Sequence, residues 1–205
     1  MKKISIVLLS IFLFLGTGFT KKYPHGNGVY QINTQTSKLA WKGEKLTGEH
    51  SGTIQLKSGT ISMESHLVSK GSFIMDMGTL ICTDLKGESK EDLENHLKSD
   101  DFFGVKRFPE SQFVITGCTP LPGDDKGNNC TIKGTLTIKG ITNEINFPAS
   151  ISIAGDVLAA KAELKFDRTK WAIKYKSKSI FDDLGDKFIY DDITMVLNIS
   201  ADLVH

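Results

Sequence analysis

Apolar side chains recur at every second position over most of this chain. That period commits it to β-structure, because successive side chains of a strand point to opposite faces of a sheet. Gly134, Leu136 and Ile138 alternate with Lys133, Thr135, Thr137 and Lys139, and Ile145, Phe147, Ala149, Ile151 and Ile153 alternate with Asn146, Ser150 and Ser152. Leu158, Ala160, Ala162, Leu164 and Phe166 oppose Lys161, Glu163 and Lys165, and Ile193, Met195, Leu197 and Ile199 oppose Asp192, Thr194, Asn198 and Ser200. Trp171, Ile173 and Tyr175, set against Lys170, Lys174 and Lys176, predict a further strand. Leu39 with Trp41 and Ile54 with Leu56 give shorter versions, and residues 66–77 and 111–118 add two more. Roughly eight to ten one-sided strands joined mostly by short turns predict an antiparallel barrel or sandwich, and closure into a barrel removes exposed edges. Pro148 cannot donate to a ladder and predicts a bulge or an edge.

One segment departs from the rule. Ser89-Lys90-Glu91-Asp92 has the form of a capping box, and Leu93 with Leu97 makes a narrow apolar stripe, so a short helix is expected over 90–98. It lies in a long connection from Asp84 to Lys106, followed by Phe102, Phe103, Phe108 and Phe113. So dense an aromatic group suggests a lid or plug over one end of a barrel; the alternative is an ordinary hydrophobic core under a long loop.

Lys2 and Lys3 precede an apolar run from Ile4 to Leu15 and the small residues Gly16, Thr17 and Gly18. The run is too short to cross a bilayer and reads as a secretory signal over residues 1–20, leaving one domain, 21–205. No Ala-x-Ala precedes the break, so an uncleaved anchor is the alternative. In an oxidising compartment Cys118 and Cys130, which bracket a turn-rich stretch, are the expected disulfide, contributing about 3 kcal/mol on the chain-entropy model. Cys82 is left over, and a chain with all three unpaired is the other reading. Lys and Arg number 25 against 24 Asp and Glu, a formal net charge of +1 without a basic block, which excludes a nucleic-acid binder.

Nothing in the chain has the spacing of a catalytic or metal centre. His25, His50, His66, His96 and His205 form no His-x-His or His-Glu-x-x-His pattern, there is no Gly-x-Ser-x-Gly elbow, and the adjacent pair Asp191-Asp192 points to opposite faces of a strand. His96 is placed to meet a ligand's polar end, while His50 carries no assigned chemistry. The pattern argues for binding. Small inward residues (Gly134, Ala160, Ala162) beside large ones (Trp41, Phe113, Trp171, Tyr175) predict an apolar cavity suited to an isoprenoid or acyl chain, each buried CH₂ contributing about 0.8 kcal/mol. A fully packed barrel acting through protein contacts is the competing expectation, and an enzyme acting on a bound lipid through His96 or Arg168 the third.

Several stretches, in order, resemble the YceI-like family: Trp41-Lys42-Gly43 to Ser51-Gly52, Gly71-Ser72-Phe73 to Met77, Asn95-His96-Leu97 to Phe102-Phe103, Phe108-Pro109 with Phe113, Gly134 to Thr142, Asp167-Arg168-Thr169-Lys170-Trp171-Ala172-Ile173, and Leu184-Gly185-Asp186 to Ile193. The likeness spans residues 29–203. It implies a lipocalin-like, extended antiparallel barrel of about eight strands in the bacterial periplasm, a carrier or store and not an enzyme, holding a polyisoprenoid, isoprenoid quinone or related long-chain amphiphile and needing no cofactor. Ala172 stands where the family usually has Gly, and the Cys118 to Cys130 loop looks like an insertion. Inward alternation and the matching aromatic positions together nominate Trp41, Phe73, Phe113, Leu136, Ile138 and Ile173 as ligand contacts, with Trp171, Tyr175, His96, Phe102, Phe103 and Phe108. An apolar run at Phe73, Ile74, Met75 and Met77 is compatible with a homodimer.

Overall fold

The alternating segments fold as their period requires. A computed structural model describes residues 26–205 as β1 (Gly28–Ile32), β2 (Lys38–Lys45), β3 (Gly48–Glu64), β4 (Leu67–Cys82), α1 (Gly87–Lys98), β5 (Glu110–Pro120), β6 (Cys130–Ile138), β7 (Ile141–Ala154), β8 (Val157–Asp167) and β9 (Ile189–Leu203). The expected export segment lies outside the described residues.

From β2 to β9 each strand pairs antiparallel with the next, and β9 returns to β2, so the sheet closes. Strand β1 adds no ninth stave. It pairs with residues 60–63 of β3 and 201–203 of β9, while β2 takes the other ends of the same two strands, so β1 and β2 lie end to end in one position. Asn33 makes the jog between them: its carbonyl accepts the Ser37 amide, and its side-chain oxygen accepts those of Gln35 and Thr36. The result is an eight-stave, lipocalin-like barrel carrying one helix. With 17 residues in β3, at about 3.3 Å each, that strand runs roughly 55 Å. Register shifts within the β3–β4 and β5–β6 ladders let such long strands bend around the axis.

Side chains sort by phase. In β6 Cys130, Ile132, Gly134, Leu136 and Ile138 are buried, and the residues between them are not. Gly134 is a packing requirement, because a Cβ there would meet the Phe113 ring at 2.5 Å. Phe73, Met75 and Met77 point inward and Ile74 lies half-buried on the other face. A bulge at Gly78 and Thr79 then flips the phase, so that Leu80 is inward again. Pro148 stands opposite Thr131 with no register shift, one residue before the β7–β8 ladder begins, so it marks a ladder end and not a bulge.

Two expectations are corrected. Helix α1 starts at Gly87, three residues earlier than predicted, so the capping-box residues fall within its first turns and Lys86, at the N-cap, makes no side-chain cap. The helix is tied down instead by Glu94, whose carboxylate accepts the Cys82 amide at 2.8 Å. Residues 170–176 form no strand. The Asp167 carboxylate accepts the Thr169 amide and hydroxyl at 2.9 and 2.6 Å, winding Arg168–Trp171 into a 3₁₀ turn, and Ala172 follows in the left-handed conformation at φ 57°.

Candidate functional site

Eight staves of this width leave an interior that side chains either fill or line. Here they line it. The barrel encloses a cavity of about 250 Å³. At about 10–15 Å³ of such space per water, it has room for about twenty waters, or about 600 Å³ of liquid, within the range of small-molecule sites. Its wall is hydrocarbon: Phe73, Met75 and Met77 from β4, Phe113 from β5, Leu136 and Ile138 from β6. Room is left on the far side by Ala160 and Ala162 of β8, with Ala149 opposite Ala162 in register. Phe113 links the aromatic part of the wall, its ring centroid 6.2 Å from that of Phe73 and 5.6 Å from that of Phe147.

Two connections roof the end where α1 lies. The first brings Leu93 and Leu97 from the helix with Phe102 and Phe103 behind it. The chain turns sharply there, with the Phe103 amide donating to Leu97 and the Gly104 amide to Ser99. The second, from Arg168 to Phe188, brings Ile173. His96 joins the two flaps, its ring centroid 4.3 Å from Tyr175 and 5.1 Å from Phe102. Arg168 joins them again, over the Phe102 ring at 5.7 Å. That guanidinium is 1% exposed and donates to the carbonyls of Ile173, Ile189 and Tyr190 and to Asp191. Burial lowers its pKa, and Asp191 and Asp167 oppose the effect.

Polar groups reach the wall near this roofed end. His50, inward on β3, hydrogen-bonds Asp84 through Nδ1 at 2.9 Å. Burial works against the Asp84 charge, yet the Ser51 amide, His50 and the Cys82 thiol hold its carboxyl well below the usual carboxylate range. Trp41 lies flat over Gly52, where a Cβ would meet its ring at 2.5 Å, and its buried Nε1 has no acceptor among the described residues.

Of the residues nominated from the sequence, Trp41, Phe73, Phe102, Phe103, Phe113, Leu136, Ile138 and Ile173 lie on the cavity wall. Four lie off it. Trp171 is wholly buried, its indole donating to the Leu136 carbonyl at 2.9 Å, and it props the barrel from behind. Tyr175 and His96 pack in the roof, and Phe108 sits outside beneath the Arg107 guanidinium. His50, not nominated, and Arg168, named only for the enzyme reading, are also wall residues. For His50 the signal was present, since His50, Gly52, Ile54 and Leu56 share one phase of β3. No group of three or more His, Cys, Asp or Glu among the described residues is placed to hold a metal ion.

At the opposite end, the expected Cys118–Cys130 disulfide is not formed; both thiols are free. Register explains it. Cys118 is opposite Ile132 and Cys130 opposite Pro120, so the cysteines are diagonal neighbours, and a diagonal spacing of about 7–8 Å exceeds the usual disulfide window. Burial, together with the adjoining Cys118 thiol, pushes the Cys130 thiol up to about 12.

The model of the YceI-like domain matches residues 30–201, from β1 into β9, and so takes in the whole barrel and both flaps. The chain belongs to the YceI-like family. Among curated proteins it is similar to the UPF0312 protein SAR2769 of Staphylococcus aureus, 44% identical over 57 residues and 28% of each chain, and to Protein YceI of Salmonella arizonae, 29% identical over 92 residues and 45% of each. It spans less than half the length of these curated relatives. Two solved structures share the fold. Burkholderia cenocepacia BcnA superposes with a TM-score of 0.67 at 16% identity, covering 83% of this chain and 99% of its own. A polyisoprenoid binding domain from Saccharophagus degradans gives 0.62 at 12%, covering 85% and 98%. Ala172, where the resemblance leads one to expect glycine, is left-handed, a backbone that favours glycine.

Proposed function

We propose that this YceI-like protein is an exported carrier that shields one long-chain isoprenoid or similar amphiphile inside its barrel and performs no chemistry on it. The observation that carries the reading is the hydrocarbon-lined cavity of about 250 Å³. Protein interiors are packed nearly as densely as organic crystals, with few voids larger than a water. A space of this size, kept open by alanines where larger residues would fit, is a cost to stability unless something occupies it. A flexible apolar chain suits the wall because it requires almost no polar partner. The name of the Saccharophagus degradans domain points to the same class of cargo. The charged leader and apolar run at the N-terminus support export, since a carrier of insoluble lipid is useful where the lipid must cross water.

Organic extraction of the purified protein followed by mass spectrometry tests this. Expected is a long-chain isoprenoid or acyl lipid in near-stoichiometric amount. Repeated recovery without lipid, and no uptake from an isoprenoid mixture, overturns it.

A further inference from the structure

A cavity walled with hydrocarbon leaves its few polar atoms as a description of the ligand's polar end. Trp41 Nε1 is a buried N–H on that wall with no acceptor among the described residues. An unpaired buried donor is costly, and an acceptor brought by a ligand removes the cost. His50 also lines the cavity. Asp84, a carboxylate, can only accept, so Nδ1 of His50 carries the hydrogen of their 2.9 Å bond and Nε2 of the neutral ring is left as an acceptor. The two groups lie on one stretch of the β2–β3 ladder. The Trp41 indole lies over Gly52, and His50 is two residues from Gly52 on the same face of β3.

Charge is the other half of the argument. Arg168, the buried cation on the wall, has four of its five N–H donors facing three carbonyls and Asp191. Lys45 stands exposed at the rim. A phosphate or diphosphate head calls for several free cations or amides gathered at one place, and the two lining lysines, Lys45 and Lys161, are both exposed.

Resting on the carrier reading, we propose that the head group is an uncharged hydroxyl, of an alcohol or a phenol, which accepts from Trp41 Nε1 and donates to His50 Nε2. A carbonyl satisfies only the first of these atoms, and an ether likewise.

Four chains of equal length separate the possibilities: geranylgeraniol, its methyl ether, its diphosphate and the parent hydrocarbon, titrated against lipid-free protein, Trp41→Phe and His50→Leu. Wild type is expected to hold the alcohol about 5- to 10-fold more tightly than the ether or the hydrocarbon. Each variant is expected to lose that margin while holding the hydrocarbon as before. The chain has two tryptophans, so two indole N–H signals report independently in a ¹H–¹⁵N spectrum. Geranylgeraniol should move the Trp41 signal downfield and leave that of Trp171, bonded to Leu136, in place. Equal affinity for alcohol and ether, tightest binding of the diphosphate, or an unmoved Trp41 signal on saturation overturns the hydroxyl assignment and leaves the carrier reading standing. Failure of all four chains to bind overturns both.

Discussion

Single side chains hold the roofed end together, and two of them make separable predictions. Ala172 adopts φ 57° at the close of the 3₁₀ turn. A Cβ in that region costs about 1–2 kcal/mol, part of which glycine's larger unfolded-state entropy cancels. Ala172→Gly is therefore expected to stabilise by about 0.5–1 kcal/mol, raising the melting temperature by about 2 °C, as calorimetry would show. Asp84 gives a pH dependence. Its carboxyl is depressed in the fold, with burial opposing and the bonds from Ser51, His50 and Cys82 prevailing. The folded state thus binds the proton less readily than the unfolded chain, whose aspartates titrate near 3.9, so the contribution is complete above about pH 4 and disappears as pH falls through the lower folded value. Urea midpoints of wild type and Asp84→Asn should differ at pH 6 and converge at the acid end; a constant gap would mean that the loss is one of packing.

Elements were legible where one rule governed them. The period-two strands β6 to β9 appear close to their expected places because their pattern is both local and tertiary: one phase faces the cavity and the other faces water. Residues 170–176 were misread for the converse reason. Trp171, Ile173 and Tyr175 alternate with lysines as a strand would, yet Asp167 caps a 3₁₀ turn before them and the Arg168 side chain, bridging carbonyls at 173, 189 and 190, ties the rest to β9. No local pattern announces such a bond, and it is also why Trp171 props the wall instead of lining it. Arg168→Met tests the dependence. Removing the guanidinium leaves three carbonyls and Asp191 without their donor in a buried setting, a loss of about 3–5 kcal/mol in urea unfolding. Lysine should not rescue it, because one ammonium cannot span the fork. Hydrogen exchange should localise the extra opening to residues 168–189, and protection retained there would show that the flap is held by packing alone.

For the molecule as a whole the question is why the barrel leaves room in its interior, and on the carrier reading the answer ties stability to cargo. Ala149, Ala160 and Ala162 withhold volume on one side of the cavity, forgoing dispersion contacts that larger side chains would make. A lipid occupying that space restores them and, because it binds only the folded state, adds stability by mass action. Ala162→Trp separates the two effects. Its Cβ already faces the cavity, and the indole would project into room that the lipid would otherwise take. Co-purifying lipid is expected to fall at least fivefold, and Glu163→Trp, one residue along and exposed on the other face, should load normally. Wild type should melt lower after delipidation, whereas Ala162→Trp should melt at one temperature with or without added lipid, since its cavity is already filled. A variant that destabilises by more than the 1–3 kcal/mol of ordinary overpacking would show the interior to be tighter than drawn. A variant that still carries a full load of lipid would place the cargo elsewhere on the protein.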